Sequence, residues 1–302
     1  MYCLELAVLL HRALEGRVET LMNNLSMPEW QDEPEGLHEV RVASRRVRAV
    51  LDLVEPGIYP GFKRQSRKVR RLTRSLGRTR EMDVHIAILE EMGVRAPGPT
   101  QGPGKEHALE VIEARRSRAR TAMARGLSRL SLKSLPRLLQ VPSLPDPFRA
   151  GELAGAIWNT LEPWLEGAFA PAALLDVEDV PALHALRIRV KRLRYALEVL
   201  GPGFALAPEA QLKHLRALQT ALGDHHDRAT LEAHLADLHQ GLVARDRPLL
   251  AAGVLGLLER VGEERLIAFE HFRALAVGTP KAAFMDGLRR DLGLEPGGID
   301  AP

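Results

Sequence analysis

The chain has 302 residues, room for two domains of ordinary size, each large enough to bury a core. Hydrophobic residues make up 45% and charged residues 27%, which excludes a disordered chain, while 4% aromatics speak against a large β-structure and against a platform that stacks nucleobases. The net charge is only +3, the single cysteine (Cys3) excludes an internal disulfide and a thiolate metal cluster, and no stretch of about 18 apolar residues is present to cross a membrane.

Residues 1–10 carry a short apolar run with no basic segment before it and no small-residue cleavage site. They read as the first turns of a helix and not as a signal peptide, so a cytoplasmic protein is expected. That helix spans 2–25, with Leu6, Leu9, Leu10, Leu14, Val18 and Leu21 at helical spacing. An acidic break at 28–36 follows, and its Asp32, Glu33 and Glu35 suit the positive N-terminus of the next helix. This second helix runs to Val54 and stops near Pro56-Gly57. On it, Val40, Val47, Val50, Leu51 and Val54 gather on one side. His38, Arg41, Arg45 and Arg48 gather on another, spaced i, i+3, i+7, i+10. Like charges at i, i+4 cost about 0.2–0.5 kcal/mol per pair, so this face calls for an anionic partner.

A second basic helix is predicted over 61–77. Lys63, Arg67, Arg70, Arg71 and Arg74 share one face, and Val69, Leu72 and Leu76 the opposite one. Residues 37–80 hold 13 Lys/Arg against 3 Asp/Glu, so the basicity is concentrated in one region. Residues 78–83 read as a helix-end loop leading into an apolar helix over 84–92. Gly and Pro mark 93–104 as a loop, and a long helix with Arg115, Arg116, Arg118, Arg120 and Arg125 follows over 105–130. The three prolines of 141–147 cannot lie inside a helix and mark a boundary.

The second half repeats the plan. A helix is expected over 149–169. Asp176, Glu178, Asp179 and Pro181 then precede a helix that stops at Gly201-Pro202-Gly203. Another spans 208–222 with Lys213 and Arg216; it is less basic than its counterpart, since Ala217 and Thr220 stand for Arg71 and Arg74. Asp224-His225-His226-Asp227 reads as a polar helix-end loop capped by Asp224 or Asp227. Helices over 228–244 and 247–275 and a frayed tail over 293–302 complete the chain.

The halves are copies. Shifting Leu37-His38-Glu39-Val40-Arg41 by 146 positions gives Leu183-His184-Ala185-Leu186-Arg187. In the same register Arg45 falls on Lys191, Arg46 on Arg192, Arg48 on Arg194 and Leu76-Gly77 on Leu222-Gly223. A period this long is a duplicated domain, since solenoid repeats run to about 20–50 residues. The fold class predicted is all-α, with one four-helix bundle in 1–141 and another in 148–292.

Four motifs carry a family resemblance. They are Leu-His-x-x-Arg-Val-x-x-Arg-Arg-x-Arg at 37–48, Leu-His-x-x-Arg-Ile-x-x-Lys-Arg-x-Arg-Tyr at 183–195, the stretch 76–84, and Leu218-Gln219-x-x-Leu222-Gly223-x-x-His226-Asp227. The chain resembles the CHAD family, the conserved-histidine α-helical domain, over nearly its whole length. It departs from the family pattern at Glu81, usually Asp, and at His226, often Asn. The resemblance implies that the two bundles form one CHAD domain with a pseudo-two-fold axis. It also implies a basic groove where the paired helices meet, binding of inorganic polyphosphate, and association of some members with polyphosphate granules.

The residues point to the same ligand class by themselves. Guanidinium forks match phosphate oxygens and keep their charge. A long polyanion suits so many cations better than one phosphate ester, and no Gly-x-x-x-x-Gly-Lys-[Ser/Thr] loop is present. The expected binding set is His38, Arg41, Arg45, Arg46, Arg48, Lys63, Arg67, Arg70, Arg71, Arg74 and Arg78 in the first repeat. His184, Arg187, Lys191, Arg192, Arg194, Lys213 and Arg216 complete it in the second.

Catalysis is not expected: no nucleophile or carboxylate pair accompanies His38 or His184, and the Glu-x-Glu-x-Lys of a triphosphatase is missing. No cofactor or metal is expected either, because four consecutive residues at 224–227 point to different sides and cannot easily surround one ion. Tyr195 and Trp158 read as core. The reading is a non-catalytic polyphosphate-binding protein; the alternative is a nucleic-acid binder using the same groove, for which low aromatic content makes RNA the weaker competitor.

Overall fold

The structure is a computed structural model that describes residues 2–54, 62–92, 101–130, 132–140, 150–169, 175–201, 208–278 and 281–291. Every regular element among them is helical. The α-helices are α1 (Tyr2–Ser26), α2 (Pro34–Val54), α3 (Lys63–Ser75), α4 (Gly77–Met92), α5 (Gln101–Leu130), α6 (Leu135–Leu138), α7 (Ala150–Ala168), α8 (Val180–Leu200), α9 (Glu209–Val243), α10 (Pro248–Gly278) and α11 (Lys281–Asp291). A short 3₁₀ turn, Leu132–Ser134, precedes α6. Among the described residues, no helix is long and apolar enough to cross a membrane. The turns expected at 56–57 and 202–203, the boundary at 141–147, the loop over 93–100, the tail and the Trp158 side chain lie outside the described residues.

The 146-residue offset of the motifs recurs in the element bounds. α2 and α8 start and end 146 positions apart, and α3 and α9 start 146 apart. α8 opens on Asp179, whose carboxylate accepts from the Ala182 N–H at 3.1 Å, with Pro181 in the first turn.

Three sequence expectations are corrected. Residues 224–227 form no loop: α9 runs 35 residues straight through them. No proline interrupts 209–243, so nothing breaks the backbone ladder there. Residues 78–83 are likewise helical, inside α4. Only Leu76 separates α3 from α4, and the bonds from Leu76 N–H to Leu72 C=O and from Arg80 N–H to Leu76 C=O carry the ladder across it. Residues 101–104 open α5 instead of closing a loop. Pro103 is tolerated in a first turn, and a Cβ on Gly104 would come within 2.6 Å of the Gly253 backbone, so glycine permits a close approach of α5 to α10.

Packing follows the apolar faces. Val40, Val47, Val50 and Leu51 of α2 are fully buried, and so are Leu193, Ala196 and Leu197 of α8. Val69, Leu72 and Leu76 are also buried, and Tyr195 joins the core as expected. Neighbours from α1 to α5 touch in turn, as do those from α7 to α10, while α11 meets α9; α2 also meets α8 and α7, and α10 meets α5. Among the described residues, neither repeat closes a buried cluster of its own. One cluster draws on α1, α2 and α3 together with α7, α8 and the first half of α9. The other joins α4 and the start of α5 to the rest of α9 and the start of α10.

Leu51 and Leu197 occupy equivalent, fully buried positions in the first cluster. Leu51→Ala and Leu197→Ala should each destabilise by about 2–5 kcal/mol. Urea unfolding followed by circular dichroism should show one transition, moved by either substitution. Two transitions, each moved by only one of them, would contradict a shared core.

Candidate functional site

With their apolar stripes locked into one cluster, α2 and α8 bring cations of both repeats within electrostatic reach of one another. Arg41 is pushed down to about 10 by burial, then by Arg45, Arg187 and Arg80, with Asp227 opposing. Lys191, the counterpart of Arg45, falls well below the ordinary lysine range through burial, then Arg187, Arg45 and Arg41, again against Asp227. Arg187 is lowered by burial; Asp227 is the strongest charge acting on it and works the other way, followed by Arg45. The cations of each repeat therefore act on those of the other. Asp227 is the carboxylate that recurs among them.

The motif residues build seats for these groups. Arg41 Nη1 donates to the Thr73 carbonyl at 3.0 Å. Ser44 and Thr73 hydroxyls meet at 2.8 Å and tie α2 to α3. A Cβ on Gly77 would stand 3.3 Å from Arg41 Nη1, and one on Gly223 would stand 3.6 Å from Arg187 Nε. The glycine of each Leu-Gly pair thus leaves space for the guanidinium of its own repeat.

The buried Nε atoms of Arg45, Arg46, Arg48 and Arg187 find no hydrogen-bond acceptor among the described residues. Arg265 shows what this chain does with a structural guanidinium. Its Nη2 donates to Glu178 at 2.9 Å and its Nη1 to the Val177 carbonyl at 3.0 Å. Its Nε makes no hydrogen bond among the described residues either, but the Glu232 carboxylate stands 2.6 Å from it, and the two carboxylates outweigh burial and raise its pKa.

The two motif histidines have equivalent surroundings. His184 Nδ1 lies 3.2 Å from His226 Nδ1. His38 feels Arg80, which occupies the place of His226 in the first repeat. His38 is lowered by burial, then Arg80; His184 by burial, then Arg187 and Lys191. His226 drops to about 3 through burial, Arg187, His184, His225 and Lys191.

The other expected residues are placed differently. Asp52 serves both Arg48, on which it is the leading opposing charge, and Arg192, 3.7 Å away. Arg192 also stacks over Trp164 at 3.7 Å. Arg194 turns from the cluster toward Glu198 and the Gln219 side chain. Arg46 lies near Arg17 and is half-buried. Lys63, Arg67, Arg70, Arg71 and Arg74 form an exposed face on α3, with Arg78 exposed at the start of α4. Arg71 and Arg74 line a cavity of about 270 Å³ with Arg129 of α5. Lys213 and Arg216 are exposed on the first half of α9.

Sequence reasoning missed Arg80, Asp227 and Arg129. Arg80 and Asp227 stand inside the quoted motifs, and placing both segments on helices would have aimed them at the His38 and His184 faces. Arg129 had no comparable signal, since α5 carries arginines all round.

The family model of the CHAD domain matches residues 12–236, which take in both motif helices and Asp227. The chain belongs to the CHAD family. The crystal structure of the CHAD domain from the plant Ricinus communis superposes with a TM-score of 0.65 at 23% identity, covering 91% of this chain and 93% of that one. The structure of PptA from Streptomyces chartreusis gives 0.66 at 15% identity, with 89% and 98% covered. At these identities the likeness is one of fold. The uncharacterized proteins MT2285 and Rv2226 of Mycobacterium tuberculosis are each 27% identical over 246 residues, 74% of this CHAD chain. The chain spans 44% of the length of either.

The depressed histidines make stability depend on pH. His226 and His85 both fall to about 3 in the fold. An unfolded histidine titrates near 6.5, so between these values the unfolded chain binds more protons and stability rises with pH. The contribution is complete above about 6.5 and is lost as pH falls toward 3. Chemical unfolding at pH 7, 5.5 and 4.5 should show this loss, and His226→Asn should flatten it. An unchanged slope in that variant would refute the burial of a neutral imidazole at 226.

Proposed function

We propose that this CHAD protein binds inorganic polyphosphate, without catalysing a reaction on it, in a groove lined by Arg, Lys and His of both repeats. In this reading repeats 1–141 and 148–292 face one another across a pseudo-two-fold axis and act as one domain. The observation that carries the proposal is the cluster of desolvated Arg41, Arg187 and Lys191, drawn from both repeats around Asp227, with Arg45 acting on each of them. Arg41, Arg45, Arg80, Arg187 and Lys191 outnumber the carboxylates of Glu81, Asp224 and Asp227 among them, and the unpartnered Nε atoms of Arg45 and Arg187 add unused donors. An anion supplies both the charge and the acceptors.

Extent argues for a polymer. The exposed arginines of α3 continue the positive surface beyond the cluster, which a single phosphate has no means to cover. RNA carries more widely spaced charges, and 4% aromatics offer few surfaces on which to stack its bases.

Arg45→Ala and Lys191→Ala should each weaken polyphosphate binding about tenfold to a hundredfold, the size of one charge-assisted contact. Fluorescence titration, with circular dichroism to confirm the fold, reads the effect. Wild-type affinity in both variants would remove the cluster from the site.

Binding should also release counterions. The logarithm of the association constant should fall linearly with the logarithm of salt concentration, by about 0.7 per phosphate neutralised. Contacts with roughly six to ten phosphates give a slope of about −4 to −7. Affinity should climb with polyphosphate length until the groove is filled, and RNA of equal phosphate count should compete poorly. Saturating affinity for a nucleoside triphosphate, or a preference for RNA, would replace this reading by a small-ligand or nucleic-acid site.

A further inference from the structure

α4 and α9 meet in the second buried cluster. There Glu81 and His85, one turn apart on α4, face His234 of α9, and a ligand atom of each lies within 4.8 Å of the others. The Nδ1 atoms of His85 and His234 are 3.3 Å apart. Thr230 faces His85. Its single hydroxyl proton has the main-chain carbonyls of His226 and Asp227 in reach at 3.1 and 3.0 Å, and when it goes to either of them the oxygen accepts from His85 Nε2–H at 3.0 Å. In that tautomer the lone pair of His85 is on Nδ1, the atom nearest His234. His85 is fully buried, so this arrangement is set by packing and not by solvent.

We propose that Glu81, His85 and His234 bind one divalent transition ion of the Zn²⁺ class, with a coordination position open to the adjoining cavity. Zinc–nitrogen bonds of about 2.0–2.1 Å place tetrahedral ligand atoms about 3.3–3.5 Å apart, the separation already held by the two Nδ1 atoms. The half-buried Glu81 carboxylate completes the set by closing in through a rotamer adjustment. Thr230 supplies the outer hydrogen bond that metal-bound imidazoles require.

Glu81 and His234 also line a cavity of about 390 Å³, with Arg78, Arg115, Arg118 and Asp237. Arg115 lowers both histidines, so the cavity opposes a bare cation there. The same arginines suit an anionic fourth ligand, of which inorganic phosphate is the simplest. The His184–His226 pair is as close, but among the described residues no third ligand group joins it, and Arg187 and Lys191 crowd it.

The test uses the full chain stripped with a chelator and titrated calorimetrically with zinc chloride, alone and then with inorganic phosphate. One zinc per chain is expected, with tighter binding in phosphate. Glu81→Gln and His234→Asn should each lower zinc affinity about tenfold or more at unchanged helicity. His226→Asn should retain it. X-ray absorption of zinc-loaded wild type should count two imidazoles at the metal. That spectrum decides the matter even where a variant fails to fold. Absence of stoichiometric zinc, fewer than two imidazoles, or loss of binding on His226→Asn with retention on His234→Asn would overturn the assignment. The polyphosphate reading does not enter this experiment.

Discussion

The structure depends on holding like charges together away from water. Arg41, Arg187 and Lys191 are half-buried beside one another, and each would be more stable in open solvent or with a carboxylate of its own. What holds them there is the apolar seam on the far sides of α2 and α8. Each fully buried Leu or Val contributes about 1.5–3 kcal/mol, and the shared cluster contains many of them. Asp227 relieves part of the repulsion. It can do so because α9 stays helical through residues 224–227, sending each of these side chains to a different side.

The two sequence repeats share a frame and differ outside it. Both copies keep the histidine, the arginine four residues from the leucine, and the glycine that seats its guanidinium. Outside that shared frame they differ. α3 presents a row of exposed cations, whereas the first half of α9 retains Lys213 and Arg216. At the position facing the motif histidine, one copy has Arg80 and the other His226. One half therefore adds surface charge, while the other supplies the opposing carboxylate and a neutral imidazole.

The helices and their apolar stripes were legible because 3.6-residue periodicity survives in the chain, as at Val40, Val47, Val50 and Leu51. The sequence repeat was legible from the offset alone. Less could be read where polar residues are helical. Asp224-His225-His226-Asp227 has the composition of a loop, and tertiary partners on four sides override that local preference. Charge was readable, but its pairing was not. Arg192 and Arg194 share the motif with Lys191, yet they turn to Asp52 with Trp164 and to Glu198 with Gln219. His85 and His234 lie 149 positions apart, and only the crossing of α4 with α9 brings them together.

The seat of Arg41 also bears on timing. A free arginine side chain carries about 2 kcal/mol of rotamer entropy that is surrendered when it is immobilised. Here the Thr73 carbonyl grips Nη1 and the bare Cα of Gly77 walls the slot, so that freedom is given up during folding. In the proposed reading, an anion that reaches Arg41 meets a guanidinium already oriented. Association at this point therefore needs little conformational search, and the disorder lost on binding falls mainly on the ligand and on the exposed arginines of α3.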